Sequence, residues 1–135
     1  MKNEDILITK DGTIGKIAYV KSMTKPTTLN SGIFVLRPSD GTYIPKFMYY
    51  VLESFLFKRF IKILKAGSTI SHLYQKDFNN FKFPLPSINE QIKIVDILSS
   101  TDSLIDNEKN RLRELEKLKK GLMQNLLTGK VRVNV

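Results

Sequence analysis

"PSINEQIKIVDILSSTDSLIDNEKNRLRELEKLKKGLMQNLLTGK", Pro86–Lys130, decides the architecture of this chain. Ser87, with Glu90 three residues on, forms a capping box, the signature of a helix start. Ile88, Ile92, Val95 and Leu98 follow as an apolar stripe. Ser99-Ser100-Thr101-Asp102 then interrupt it with side chains that compete for nearby backbone hydrogen bonds, which predicts a bend or a second N-cap. Beyond them come Leu104, Ile105, Leu112, Leu115, Leu118, Leu122 and Leu126, and the steps of three, three, four and four from Leu112 are close to a coiled-coil seam. Gly129 supplies the stop. A continuous helix from Ser87 to Leu127 would span roughly 60 Å at 1.5 Å per residue. The roughly 85 residues before it make a body only about 25–30 Å across. Part of the leucine seam must therefore find a partner outside that body.

The chain has 135 residues, of which 41% are hydrophobic, enough for one modest core plus an extension. It has no cysteine, so disulfides and thiolate metal sites are excluded. The charged start, Met1-Lys2-Asn3-Glu4-Asp5, is unlike a signal peptide, and no run approaches the ~18 apolar residues of a membrane-spanning helix. The expectation is a soluble, cytoplasmic protein. Net charge is +9, unevenly spread: residues 1–87 carry 13 Lys/Arg against 6 Asp/Glu, and residues 88–130 carry 8 against 7. A basic body suits a polyanion such as DNA or RNA. A nearly balanced amphipathic helix suits another helix. The plainer alternative is that the surplus lysines are simply solvated.

Ahead of the long helix, Asp5–Thr9 and Ile14–Val20 flank Asp11-Gly12, a strong hairpin signal because such turns need positive φ. Residues 21–32 read as loop, and Gly32–Arg37 as a third strand stopped by Pro38. Pro45 opens a helix expected to run to about Lys65, with Phe47/Met48, Val51/Leu52, Phe55/Leu56, Phe60 and Ile63/Leu64 on its apolar face. These aromatics read as core, not as a base-stacking platform. Lys76-Asp77-Phe78 predicts a short helical turn, and Phe81–Pro86 an extended edge strand limited by its two prolines.

Catalytic constellations are missing. Ser68 or Ser71 beside His72 suggests a nucleophile–base pair but has no third member. No (Asp/Glu)-x-Lys tripeptide and no Asp/Asn-Pro-Pro-aromatic motif occurs. Gly12-Thr13-Ile14-Gly15-Lys16 lacks the spacing and the Ser/Thr of a phosphate loop. The chain reads as a non-enzyme, with no cofactor and no metal.

Three stretches together, "DILITKDGTIGKIAYV", "GSTISHLYQKDFNNFKFPLPSINEQIKIVDILS" and "KLKKGLMQNLLTGKVRV", resemble the specificity subunit of type I restriction–modification systems. Pro84-Leu85-Pro86-Ser87-Ile88-Asn89-Glu90-Gln91-Ile92-Lys93-Ile94 is the most specific of these, and Leu-Lys-Lys-Gly-Leu-Met-Gln-Asn-Leu-Leu-Thr-Gly is nearly as telling. The resemblance implies target-recognition domains, each followed by a helical spacer, with antiparallel spacers setting the distance between two half-sites in DNA. This chain resembles the latter part of one recognition domain plus one spacer. The implied fold is α+β: a small mixed sheet with one packed helix over residues 1–86, then a spacer over 87–129 in an antiparallel coiled coil with a partner, then a tail over 130–135. The implied partners are double-stranded DNA, a second copy or another half-subunit, and the methyltransferase and restriction subunits, with no membrane. A two-fold dimer would present one surface twice to a symmetric, bipartite target.

Lys10, Lys16, Lys21, Lys25, Lys62, Lys65 and Lys76 are the candidate phosphate contacts. Ser68, Thr69, Ser71, His72, Tyr74 and Gln75 are the densest cluster of groups able to read bases. Turns use the same residue types, so local backbone capping is the competing explanation for them. Ile105, Leu112, Leu115, Leu118, Leu122 and Leu126 are the expected spacer interface. The competing function is a coiled-coil assembly module that dimerises, or binds methyltransferase subunits, without reading sequence. A free-standing hydrolase is disfavoured by the missing motifs.

Overall fold

A computed structural model describes residues 1–38, 41–66 and 72–134. The architecture is α+β, in the order β1 (Ile6–Thr9), β2 (Ile17–Tyr19), β3 (Ile33–Leu36), α1 (Pro45–Glu53), α2 (Phe55–Ala66), α3 (Gln75–Phe78) and α4 (Ile88–Leu127). The three strands form one sheet in the order β2-β1-β3. Both pairings are antiparallel, so the sheet is not mixed. The cause is local: each neighbour of β1 returns through a connection without a crossover helix, which a parallel pair would need.

Strand alternation places Ile6 and Ile8 on the same face of β1. Both are fully buried, Ile6 opposite Tyr19 and Leu36, Ile8 opposite Ile17 and Phe34. Ile14, Met48, Leu52, Phe57, Ile61 and Leu73 complete the core against them. The β1–β2 connection turns on two glycines in the left-handed region, Gly12 (φ +64°) and Gly15 (φ +84°). At Gly15 a side chain would be strained by the positive φ and would crowd Ile61, whose Cγ1 would stand 3.1 Å from an added Cβ.

The single helix expected over 45–65 is broken. Ser54 is extended (φ −70°, ψ 172°); its hydroxyl donates to the Val51 carbonyl at 2.6 Å and accepts from the Leu56 N–H at 3.2 Å. One serine thus closes α1 and opens α2, as a side chain that competes for backbone partners can. The break resets the helical phase. Phe55 and Ile63, expected inside, are 71% and 62% exposed, while Phe57 and Ile61 face the core.

Phe81–Pro86 joins no sheet among the described residues. Ring contacts hold it instead: the Phe81 ring meets Phe57 edge-on at 5.2 Å and stacks on Phe83 at 5.5 Å. Pro84 and Pro86 have no N–H to give a ladder. The expected bend at 99–102 is likewise absent, because α4 is continuous over 40 residues. Ser100, Thr101 and Ser103 turn their hydroxyls back to the carbonyls of Asp96, Ile97 and Ser99, so they satisfy the helix rather than interrupt it.

Met1–Val95 form one compact unit and Asp96–Val135 a second. The second is helical to Leu127 and stops at Gly129 (φ +74°). There the N–H groups of Gly129 and Val131 close on the carbonyls of Leu126 and Asn125, as helix ends do when a left-handed residue terminates them.

Candidate nucleic-acid interface

Chain pairing far apart in sequence builds the site. The Leu73 N–H donates to the Lys10 carbonyl at 2.7 Å, and Asp11 and His72 sit opposite each other as an isolated antiparallel bridge. Leu73 is buried, so alternation turns its neighbours His72 and Tyr74 outward. Asp11 Oδ1 meets His72 Nδ1 at 2.5 Å. The Tyr74 ring lies 6.2 Å from the His72 ring, and Lys76 places its ammonium 5.5 Å from the Tyr74 centroid. On the sheet side, Lys10 lies 5.3 Å from the Phe34 ring. Gln75 and Phe34 line one shallow groove together with Phe78 and Asn79.

Lys10, His72, Tyr74, Gln75 and Lys76 are therefore gathered around one stretch of paired backbone. Lys16 sits at the hairpin turn, where its N–H donates to Thr9 Oγ1 at 3.0 Å. Lys21 and Lys25 are exposed on the β2–β3 connection, and Lys62 and Lys65 are exposed on α2. Ser68, Thr69 and Ser71 lie outside the described residues.

Three residues that sequence patterning passed over organise the unit. Asp11 appears in the sequence only as half of a turn signal; its partner His72 is 61 residues away and no local pattern links them. Gln91 is fully buried. Its Oε1 accepts from the Ile44 N–H at 2.9 Å, and its Nε2 donates to the carbonyls of Pro86 at 2.9 Å and Thr42 at 3.3 Å. A buried amide with these partners locks the first turn of α4 to the segment that opens α1. Ser87 caps the same turn, its Oγ accepting from the Glu90 N–H at 3.4 Å.

Asp5 is the other buried polar residue. Its two carboxylate oxygens accept from Arg37 Nε and Nη2 at 2.8 Å each, and Oδ2 also accepts from the Lys2 N–H at 2.6 Å. The bidentate guanidinium holds the Asp5 carboxyl below the usual carboxylate range despite burial, and the carboxylate raises the Arg37 value in turn. Arg37 is thereby committed to the body's own structure. Burial pushes the Tyr19 phenol up, reinforced by the charge of Glu4.

Along α4, Ile105, Leu112, Leu115, Leu118, Leu122 and Leu126 are 41–58% exposed. Leu115, Leu118, Leu122 and Leu126 line one apolar concavity, and Leu104, Ile105 and Leu112 line another. Ion pairs spaced three residues apart, Glu114–Lys117 at 2.8 Å and Asp106–Lys109 at 3.8 Å, decorate the same helix. Among the described residues no three His, Asp or Glu side chains converge as a metal site would require, and no helix is long and apolar enough to cross a membrane.

Comparison with known proteins gives this geometry a context. Residues 1–117 match the family described as the type I restriction modification DNA specificity domain. Two curated relatives come from Methanocaldococcus jannaschii. The type I restriction enzyme MjaIX specificity subunit is 33% identical over 120 residues, covering 89% of this chain and 27% of the relative. The MjaVIII specificity subunit is 32% identical over 120 residues, covering 87% and 28%. From Escherichia coli, the EcoR124I/EcoR124II specificity subunit is 29% identical over 119 residues, covering 84% and 28%. This chain thus spans less than a third of the length of these relatives.

Proposed function

The chain belongs to the type I restriction modification DNA specificity domain family, and from that premise we propose that it is a non-catalytic DNA-recognition subunit that contributes one half-site and one spacer helix. The observation that carries this is the grouping of Lys10, His72, Tyr74, Gln75 and Lys76 around the Asp11–His72 bridge, within residues 1–87, which carry 13 basic residues against 6 acidic ones. Lysines supply phosphate contacts, which position the protein and carry no sequence information. His72, Tyr74 and Gln75 supply the donors, acceptors and ring faces that base edges require. The leucine face of α4 pairs antiparallel with the same face of a second copy, or of another half-subunit. Methyltransferase and restriction subunits of the same system complete the assembly and carry the chemistry.

The exposed leucine face favours a second function, an assembly module that dimerises or binds methyltransferase subunits without choosing a DNA site. One experiment separates the two: mass in solution by light scattering, with and without duplex DNA, across a salt series. The recognition subunit is expected to be a dimer whose duplex binding strengthens as salt falls. Changing both Lys62→Ala and Lys65→Ala should then flatten the logarithmic salt slope by about two units, near 0.9 per phosphate contact. A dimer that ignores duplex at every salt concentration leaves the assembly module.

A further inference from the structure

We infer that Asp11 is a positioning residue that holds His72 in the tautomer able to read an exocyclic base amine. The inference rests on the DNA-recognition function proposed above. A carboxylate only accepts hydrogen bonds, so the proton in the 2.5 Å contact between Asp11 Oδ1 and His72 belongs to Nδ1. In a neutral ring, Nε2 then carries the lone pair and is an acceptor. The bridge between Asp11 and His72 fixes the backbones on both sides, and the buried Leu73 next door prevents the segment from turning over. The two side chains stay 38% and 50% exposed, so half of the His72 side chain is open to a ligand.

Charge decides what that ligand is. An acceptor nitrogen cannot bond a phosphate oxygen, and the Asp11 carboxylate beside it repels phosphate. Lys10 and Lys76 flank the pair and supply the phosphate contacts. The His72 nitrogen is thereby matched to a donor on a base edge. In the major groove the donors are the N4 amine of cytosine and the N6 amine of adenine. Tyr74, 6.2 Å from His72, offers a ring face alongside.

His72 is the single histidine of the chain, so its ring nitrogens can be observed without assignment. The test is long-range proton–nitrogen NMR on histidine-labelled protein in alkaline buffer. Wild type is expected to show the proton on Nδ1, Asp11→Ala to lose that preference, and Asp11→Asn, which keeps a neutral acceptor, to restore it in part. A wild-type ring protonated on Nε2, or one unchanged by Asp11→Ala, overturns the inference whether or not DNA binds. Selection from a pool of duplexes randomised at their central positions supplies the second readout. Asp11→Ala should relax the preference at one position per half-site by about tenfold, the effect of one base contact, with the salt slope kept. Identical preferences in the two proteins overturn the base contact. A wild-type pool that enriches for nothing removes the DNA-recognition premise and the contact with it, while the tautomer measurement still decides the role of Asp11.

Discussion

In Met1–Val95, five core side chains, Ile6, Ile8, Leu52, Phe57 and Leu73, are each at most 1% exposed. In Asp96–Val135, every described residue except the half-buried Ser99 is exposed, the leucines of the seam included. Both regions are rich in apolar residues, yet only the first buries a core from them. The body draws its stability from its own core, whose burial is worth about 25 cal/mol per Å² of apolar surface. The helix of the second region rests on local terms: good helix formers such as Leu, Lys, Glu and Arg, and ion pairs three residues apart. Local terms sustain a helix but leave an apolar stripe wet, and a stripe with coiled-coil spacing is relieved by a partner helix.

The sharpest way to break this contrast is Leu115→Asp. Pairing through the leucine face would bury the new carboxylate unpaired, at a cost of about 3–5 kcal/mol of association, and the proposed dimer should fall to monomer mass in light scattering while the body stays folded. An unchanged dimer mass would place the interface elsewhere. Within the body, Gln91→Ala removes three hydrogen bonds of a fully buried amide at once and leaves the half-buried Ile44 N–H without its partner. Urea unfolding should show a loss of about 3 kcal/mol. A loss well under 1 kcal/mol would mean that apolar contacts alone seat the first turns of α4.

The smallest expected effect belongs to Asp5. Its carboxyl value is lowered in the folded state by Arg37, so the unfolded chain takes up the proton first as pH falls. The stability it contributes is complete above the ordinary carboxylate range, near pH 4, and is lost as pH drops toward the lowered value. Asp5→Ala should cost about 2 kcal/mol at neutral pH and flatten the stability-against-pH curve on the acid side. A variant whose acid limb matches wild type would remove the Arg37 pair as its cause. Asp96–Val135 offers no buried carboxylate among its described residues, so acid should weaken the body first.

Much of the fold was legible because the deciding patterns are local. The apolar alternation of Ile6 and Ile8, the glycine-rich turn after β1, the capping box at Ser87 and the stop at Gly129 each lie within a few residues of what they specify. The misreadings came where one polar side chain had two local options. Ser54 chose to end a helix and restart it out of phase. Ser100, Thr101 and Ser103 chose to bond back within α4. At Ser54 the packing of the neighbouring apolar residues decides the outcome; in α4 the carbonyls four residues back in a continuing helix offer the hydroxyls a partner. The candidate site was legible only in its residue types: the sequence names His72, Tyr74 and Gln75 in a cluster with Ser68, Thr69 and Ser71, and Lys76 as a phosphate contact, but is silent on Asp11.

By itself, then, the sequence determined that this protein is a basic α+β body followed by a long amphipathic helix, because secondary structure and charge follow from spacing and composition. The tertiary structure decided that Asp11 holds His72, that Gln91 locks α4 to the start of α1, and that Phe57 and Ile61 rather than Phe55 and Ile63 face the core. Each of these joins residues far apart in the chain, or depends on a helix phase that only the packed core selects. A hydrogen bond across 61 residues has no signature in a one-dimensional pattern; it exists once the sheet has brought its two ends together.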